Sequence, residues 1–581
     1  MIIIDIAVFA VLVLAAQGLG QPLVRRFRLG EGAFGLVWSQ ALGLAGLVAL
    51  AWLLSLLGLL RPWPAGLILA VAAGRGVWEW PRSRPAWLWP VPSLSGWEKL
   101  FLAGIVFYNL LGLFQALAPP TWGEGVHYLF VMAGDYGQAG RIYYHPDLYA
   151  SRPQNMVLLF SLAQLFARAE ASQLISWWFG CLSIISLAAV GSRLADRTTG
   201  LLAGLIVSAM PLFGQLTGRG MSDLGVLFYG ILGLSTLWLA FHGQRRLTWA
   251  VLAGLCLGLG AGFKGIGLGL ILFGGLAAIV EAIRLRRGLA ALIILGGICL
   301  LSASPWYVYS YLHTGHLIYD RQKLHWGPLS AKDQATLFGP VAAQPERGES
   351  TPGIVAQTTE SPPGPIRDQL YEAPGDRGPW AGWWYRNWII FKTRLASGQV
   401  NPLAVAWNLN LAAGRNQRVV GPFVLALAPL LLLIRPLPPP LVWLTLVGAA
   451  YFCLGPLLLA NYVRYVLVGL ALASLGAAYA WRRLLDFSAW SRLLAVVCLA
   501  VCWLPLWPAE VYRMVDVAPA ALGLTDRREY LGRVWPEATA VYDWANAHLP
   551  PEARVLFIAE YRPYYLKRPF IYGLPWRNPC L

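Results

Sequence analysis

Residues 222–288 read SDLGVLFYGILGLSTLWLAFHGQRRLTWAVLAGLCLGLGAGFKGIGLGLILFGGLAAIVEAIRLRRG. Three apolar runs, near 222–242, 247–263 and 265–283, are parted by Arg245-Arg246 and by Lys264, and closed by Arg284, Arg286 and Arg287. Each approaches the ~20 residues that a helix needs to cross about 30 Å of hydrocarbon. The runs are continuously apolar rather than alternating, which favours helices over barrel strands, and a helix satisfies its own backbone in lipid. Outward from this stretch the pattern recurs near 3–20, 33–60, 62–80, 98–118, 172–192 and 198–216, and again near 288–311, 419–434, 438–458, 461–481 and 490–507. The expected fold class is therefore an all-α polytopic membrane protein with about fourteen spans.

Composition agrees. Of 581 residues 57% are hydrophobic and 13% charged, where soluble chains carry about 25% charged residues. The net charge of +17 does not mark a nucleic-acid partner, because Lys and Arg sit in short clusters between apolar runs instead of along one stripe. Alternating the spans sends Arg25, Arg26, Arg28, Arg82, Arg84, Arg193, Arg197, Arg245, Arg246, Arg284, Arg286, Arg287, Arg435, Arg482, Arg483 and Arg492 to one side. By the positive-inside rule that side is cytoplasmic, and both termini are extracytoplasmic. Six of the seven cysteines lie inside apolar runs, so no disulfide framework or CxxC metal site is indicated. The amino terminus, MIIIDIAVFAVLVLAAQGLG, has no basic leader or AxA-like cleavage site and reads as a retained helix.

The organisation that follows is 1–97 as additional amino-terminal helices, 98–311 as a membrane core with a first outer loop at 119–153, 312–418 as a large outer loop, 419–507 as further spans and 508–581 as an outer tail. In the large loop a Pro- and Gly-rich stretch leads to Trp380, Trp383, Trp384, Tyr385 and Trp388, the pattern of an interfacial helix. The tail reads as a helix ending near His548, then a strand-like RVLFIA and the aromatic run YRPYYLKRPF, a small mixed α/β cap. No GxxxxGK[ST] loop or strand-linked GxGxxG is present, which argues against a nucleotide-driven pump.

Polar residues gather on the outer face. The first outer loop carries Glu124 just past Pro119-Pro120, followed by His127, Tyr128, Asp135, Asp147 and Arg152. The topology adds Arg219 and Asp223 at the start of one span, Lys264 between two outer ends, and Arg464-Tyr465 just inside another. Charges at depth cost about 2.5–3.5 kcal/mol each and so face a wet cavity or one another. Pairing of Asp223 with Arg219 or Lys264 is the plain structural account. The functional account is a carboxylate able to take a proton from a hydroxyl, beside cations able to hold a departing phosphate. His313 and His316, at a helix exit, read as solvated or capping residues.

Several blocks together resemble a C-type membrane glycosyltransferase of the family 39 kind, similar to dolichyl-phosphate-mannose-protein mannosyltransferases and aminoarabinose transferases. They are PPTWGEGVHY at 119–128, GRGMSDLGVLFYGILGL from 218, LGLGAGFKGIGLGL from 257, SPWYVYSYLHTGHLIYD from 304, NYVRYVLVGLAL from 461 and the tail from Tyr542 to Phe570. The resemblance implies transfer of a sugar from a polyprenyl-phosphate carrier to an acceptor hydroxyl on a lipid, glycan or protein, with inversion, in a bacterial inner membrane. It implies Glu124 as base, Asp135 or Asp147 as a second acid, His127, Tyr128, Arg219 and Tyr465 near substrate, Lys264 and Arg464 on the carrier phosphate, and Asp223 ordering the site. A divalent cation such as Mg²⁺ is the one cofactor it suggests. Where such enzymes carry Asp or an Asp-Glu pair, this chain has Gly123-Glu124, whose longer side chain reaches differently. That departure keeps open a non-catalytic accessory subunit of a membrane complex. A transporter is the remaining alternative, although the charges sit at outer ends and no repeat is evident.

Overall fold

The structure is a computed structural model and describes residues 2–79, 93–121, 123–144, 151–286, 288–318, 423–432, 434–458, 463–503, 507–557 and 562–572. All of them belong to one of the chain's two compact units. Asp147 and the aromatic segment at Trp380–Trp388 lie outside the described residues.

Thirteen helices precede the large loop: α1 Ile2–Phe27, α2 Gly32–Leu56, α3 Pro62–Glu79, α4 Gly96–Leu117, α5 Phe130–Ala139, α6 Asn155–Gln164, α7 Ala169–Leu194, α8 Arg197–Ser208, α9 Pro211–Thr217, α10 Asp223–His242, α11 Arg246–Phe263, α12 Leu268–Leu285 and α13 Leu289–Thr314. Beyond it come the helices Phe423–Leu427, Pro439–Leu458, Leu467–Phe487, Ala489–Trp503, Trp507–Ala521, Arg527–Val534 and Pro536–His548. The protein is an all-α integral membrane protein, as its apolar runs require.

Among the described residues nine helices are long and apolar enough to cross a membrane, or ten if α8 and α9 form one span. Five of the fourteen expected runs, at 62–80, 198–216, 419–434, 438–458 and 490–507, are not among those nine. The run at 198–216 is broken by 75° between α8 and α9, where Pro211 opens the second piece and cannot continue the first. Among its described residues the run at 419–434 forms the five-residue helix Phe423–Leu427 and a 3₁₀ turn. The run at 490–507 yields fifteen residues, Ala489–Trp503. The tail has the expected mixed character: the helix Pro536–His548 ends at the foreseen position, and Val555–Phe557 pairs in parallel with Phe570–Tyr572.

The amino-terminal helices join one another through close backbone approach, and the core through a polar network. A Cβ built on Gly43 of α2 would sit 1.8 Å from the Ala16 carbonyl oxygen of α1, and one on Gly76 of α3 would sit 2.0 Å from Leu14 O. Only glycine fits there, and small residues are what let helix backbones approach in lipid. Beside these contacts, Ser39 Oγ and Gln40 Nε2 donate to Gln17 Oε1 at 2.9 and 3.1 Å. Trp178 Nε1 of α7 then donates to Gln40 Oε1 at 3.1 Å. The network satisfies amide groups that hydrocarbon would leave bare.

At the other end of the bundle, helix termini converge. The end of α4 is held by Gln173 of α7, whose Nε2 donates to Ala116 O and Ala118 O at 3.0 and 2.8 Å. This sets the exit angle of the chain into Pro119-Pro120. Gly43→Val should therefore destabilise the fold by about 3 kcal/mol, the upper range for an overpacked site. Gly275→Val, where an added Cβ meets nothing within 4 Å, should leave the thermal midpoint in lipid unchanged. Equal midpoints for the two variants would refute this packing.

Candidate functional site

Four helix ends deliver the charged residues. Asp223 opens α10, where the exposed N–H groups of a first turn favour a carboxylate. Lys264 follows α11 in an extended conformation, φ −160° and ψ 146°, before the 3₁₀ turn Gly265–Gly267 leads into α12. A cation suits the carbonyl-rich end of α11. Arg464 and Tyr465 lie in the 3₁₀ turn Val463–Val466 ahead of the helix Leu467–Phe487. Glu124 stands after Gly123, whose φ of +87° is a left-handed conformation that glycine adopts without strain. One turn of π-helix, Gly125–Leu129, follows it and carries His127 and Tyr128.

These residues meet. Lys264 Nζ donates to both Glu124 oxygens at 2.8 Å and to Asp223 Oδ2 at 2.8 Å. Arg464 Nη2 lies 3.0 Å from Glu124 Oε1, and the Tyr128 hydroxyl donates to Glu124 Oε2 at 3.0 Å. The Tyr465 ring sits beneath both cations, its centroid 5.6 Å from Lys264 Nζ and 5.1 Å from Arg464 Cζ. Side-chain exposure falls from 18% for Arg464 and 14% for Glu124 to 10% for Lys264 and 1% for Asp223. The cluster thus has a shallow side and a floor. Asp223 forms that floor, and its Oδ1 has no hydrogen-bond donor among the described residues.

The expected pairing of Asp223 with Lys264 is observed, and the same lysine also reaches Glu124. Burial raises the Glu124 carboxyl, but the adjacent Lys264 and Arg464 charges, with Arg152 behind them, outweigh it and hold the group well below the usual carboxylate range. His127 is buried on the π turn, with its ring edge-on to Tyr128 at 5.4 Å. The Arg219 carbonyl oxygen packs against Gly125, where an added Cβ would lie 2.9 Å away. Arg219 Nε is 3.0 Å from the Gln115 side-chain oxygen, in the amide orientation that also lets Gln115 donate to Gly214 O. Asp135 lies on α5 and is hydrogen-bonded to Tyr143.

A divalent cation would need oxygen ligands converging on one point. Here the Lys264 ammonium sits between Glu124 and Asp223, where such an ion would bridge them. No group of three or more His, Cys, Asp or Glu is arranged to hold a metal among the described residues. Among the described residues, then, no metal centre is formed, and no step below uses one.

Fold and site define a polytopic membrane protein with a buried carboxylate–cation cluster at one end of its bundle. No family model matches the chain, and no curated protein matches it. Among solved structures it is similar to ArnT from Cupriavidus metallidurans bound to undecaprenyl phosphate, at 15% identity and TM-score 0.46, over 83% of this chain and 86% of that one. The same protein in its apo state gives 14% identity and TM-score 0.44, over 82% and 85%. An oligosaccharyltransferase, AglB from Archaeoglobus fulgidus, in complex with an inhibitory peptide and a dolichol-phosphate, gives 14% identity and TM-score 0.38, over 82% of this chain and 65% of that one.

The charge state of Glu124 is testable. An acid whose folded value is depressed stabilises the fold above its unfolded value, about 4.3 for Glu, and loses that contribution as pH falls toward the folded value. The difference in thermal midpoint between wild type and Glu124→Gln should be constant from pH 5.5 to 8 and shrink from about pH 4.3 downward. A difference that stays flat to pH 3 would rule out an ionised Glu124 paired with Lys264.

Proposed function

We propose that the chain is a membrane glycosyltransferase that moves a sugar from a polyprenyl-phosphate carrier to an acceptor hydroxyl, with inversion, at the extracytoplasmic face of a bacterial inner membrane. The observation that carries this reading is the shared hold of Lys264 and Arg464 on Glu124, above the buried Asp223. Two cations at a helix-end surface can receive a lipid phosphate, and a carboxylate beside them can receive a proton.

At rest the Glu124 carboxylate takes hydrogen bonds from Lys264 and Tyr128 and an ion pair from Arg464, so it is a poor base. A phosphate entering beside Arg464 and Lys264 competes for those donors, and Arg holds it through two parallel N–H bonds. As the cations turn toward the phosphate, Glu124 loses the charges that suppress its basicity. The acceptor hydroxyl then gives its proton to Glu124 while its oxygen forms a bond to the anomeric carbon. The bond from that carbon to the phosphate oxygen breaks on the opposite face, and its electron pair leaves with the phosphate, stabilised by Lys264 and Arg464. Asp223 holds Lys264 in place through Oδ2. Tyr465 shields the cations from one side.

One observation favours a second reading. The four charges of Glu124, Asp223, Lys264 and Arg464 balance one another in pairs, as a purely structural cluster in an accessory subunit would.

Radiolabelled polyprenyl-phosphate sugars supplied to the purified protein in lipid separate the two. Wild type should transfer label, and Glu124→Gln should lower kcat about 10²-fold or more, the range for loss of a general base. Undiminished transfer by Glu124→Gln would remove Glu124 from the chemistry. No transfer by wild type with any donor, in the presence of its native membrane partners, would favour the accessory reading.

A further inference from the structure

The sequence assigns the aromatic tail no role in the site, yet three of its tyrosines grip the loop that carries Glu124. The Tyr565 hydroxyl donates to Pro120 O at 2.7 Å. Tyr530 packs in one apolar cluster with Ala118 and Tyr565, beside Thr121. The Tyr564 ring stands edge-on to Phe130 at 5.7 Å, and Phe130 in turn fills the space beside Gly125, where a Cβ would lie 2.5 Å from its ring. These contacts fall at 120, 121 and 130, on both sides of Glu124. The 3₁₀ turn Pro563–Tyr565 accordingly packs on the π turn Gly125–Leu129 and on α5.

The tyrosines are themselves tied to the membrane bundle. Arg527 forms an ion pair with Glu170 in the first turn of α7 and lies 5.6 Å above the Tyr565 ring. Tyr564 lies beside the backbone at Ala169, the residue before Glu170. Glu170 also faces Arg168 at 3.7 Å, and Arg168 Nη2 pairs with the buried Asp5 of α1 at 2.6 Å. The tail therefore bears on α7 while it holds the loop, and α7 independently holds the end of α4 through Gln173.

We propose that Tyr530, Tyr564 and Tyr565 form a clasp, seated on α7 by Arg527, that positions the Glu124 loop for the transfer reaction. They are positioning residues, since none of them contacts Glu124, Lys264 or Arg464 in the described geometry. As a statement about catalysis this rests on the reading given under Proposed function; as a statement about the loop it stands alone. A carboxylate that must lie within hydrogen-bond reach of an acceptor hydroxyl works only if its backbone is fixed. Pro119-Pro120 and Gly123 shape this loop but cannot hold it down, because prolines lack N–H groups and glycine lacks a side chain.

The test uses the full chain in lipid. Tyr530→Phe and Tyr565→Phe each remove one hydroxyl and keep the ring, and the double variant removes both. Tyr479→Phe, which deletes a like bond to Pro436 O elsewhere, is the control. Amide hydrogen exchange across 118–130 should quicken about tenfold in the double variant, with α1–α3 unchanged and the control unaffected. In the transfer assay kcat should fall about fivefold for Tyr565→Phe, the scale of one hydrogen bond, while KM for the lipid donor stays within twofold. Exchange of 118–130 that equals wild type overturns the clasp. A fall in kcat accompanied by a lowered thermal midpoint and faster exchange throughout the bundle overturns positioning in favour of a general loss of stability. Quickened exchange confined to the loop, in a protein whose wild type transfers no sugar, upholds the clasp and sinks the transferase reading instead.

Discussion

The Lys264 ammonium is the point at which separate parts of the chain are forced together. It is buried, and it stands 2.8 Å from carboxylates supplied by α10 and by the loop after α4. A buried charge without a partner costs several kcal/mol, and breaking a buried pair by removing one member costs about 3–5 kcal/mol. Arg464 adds the helix Leu467–Phe487 to the same knot. The end of α11, the start of α10, the exit of α4 and the entry of that later helix therefore share one location because their charges have no cheaper arrangement. The break between α11 and α12 follows from this. Had helix continued through Lys264, its side chain would have pointed along a lipid-facing or packed surface; the extended residue turns it into the cluster instead.

Such a cluster stores a conflict useful to a transferase. Lys264 is a compact charge already serving two carboxylates, whereas Arg464 has a planar fork able to engage a second anion. An arriving phosphate would shift the balance first at Arg464, the more exposed of the two cations. Asp223 would retain Lys264 throughout, since it is the most deeply buried member and holds that lysine through one oxygen. The floor of the site stays fixed while the shallow side exchanges partners, a division of labour that burial alone imposes.

Glu124, Tyr128, Asp223, Lys264, Arg464 and Tyr465 were legible in the sequence because charge at the margin of an apolar run is rare and needs a reason. Alternation of spans sufficed to send them to one face. Asp135 was grouped with them by proximity along the chain, and the structure gives it Tyr143 as a hydrogen-bond partner. The bend between α8 and α9 was not foreseen, since hydropathy records how apolar a run is and not its direction; Pro211 was the available signal. The helix Asn155–Gln164 was not foreseen as a span because ten residues are too few for one. The tail tyrosines were hidden for a different reason. Aromatic crowding near a membrane has a general account in interfacial anchoring, and nothing local distinguishes a ring that anchors from one that clasps.

Asp5, inside the first apolar run, and Glu170, just ahead of the run at 172–192, were signals of the same kind as Lys264, and they account for how the ends of the chain are joined. Glu170 lies between Arg168 and Arg527, and Asp5 binds Arg168 both through its guanidinium and through its backbone N–H at 2.9 Å. The order Asp5, Arg168, Glu170, Arg527 alternates in sign, so each inner member is held from two sides. The first helix is thereby coupled to a tail more than five hundred positions later, in addition to the glycine contacts and the Gln17 network that bind α1 to α2 and α7. The amino-terminal helices lie outside the blocks that resemble known transferases, yet their outermost acid holds Arg168 and, through Glu170 and Arg527, steadies the tail that packs on the loop carrying Glu124. They are thus part of the scaffold of the site and not an appendage to it.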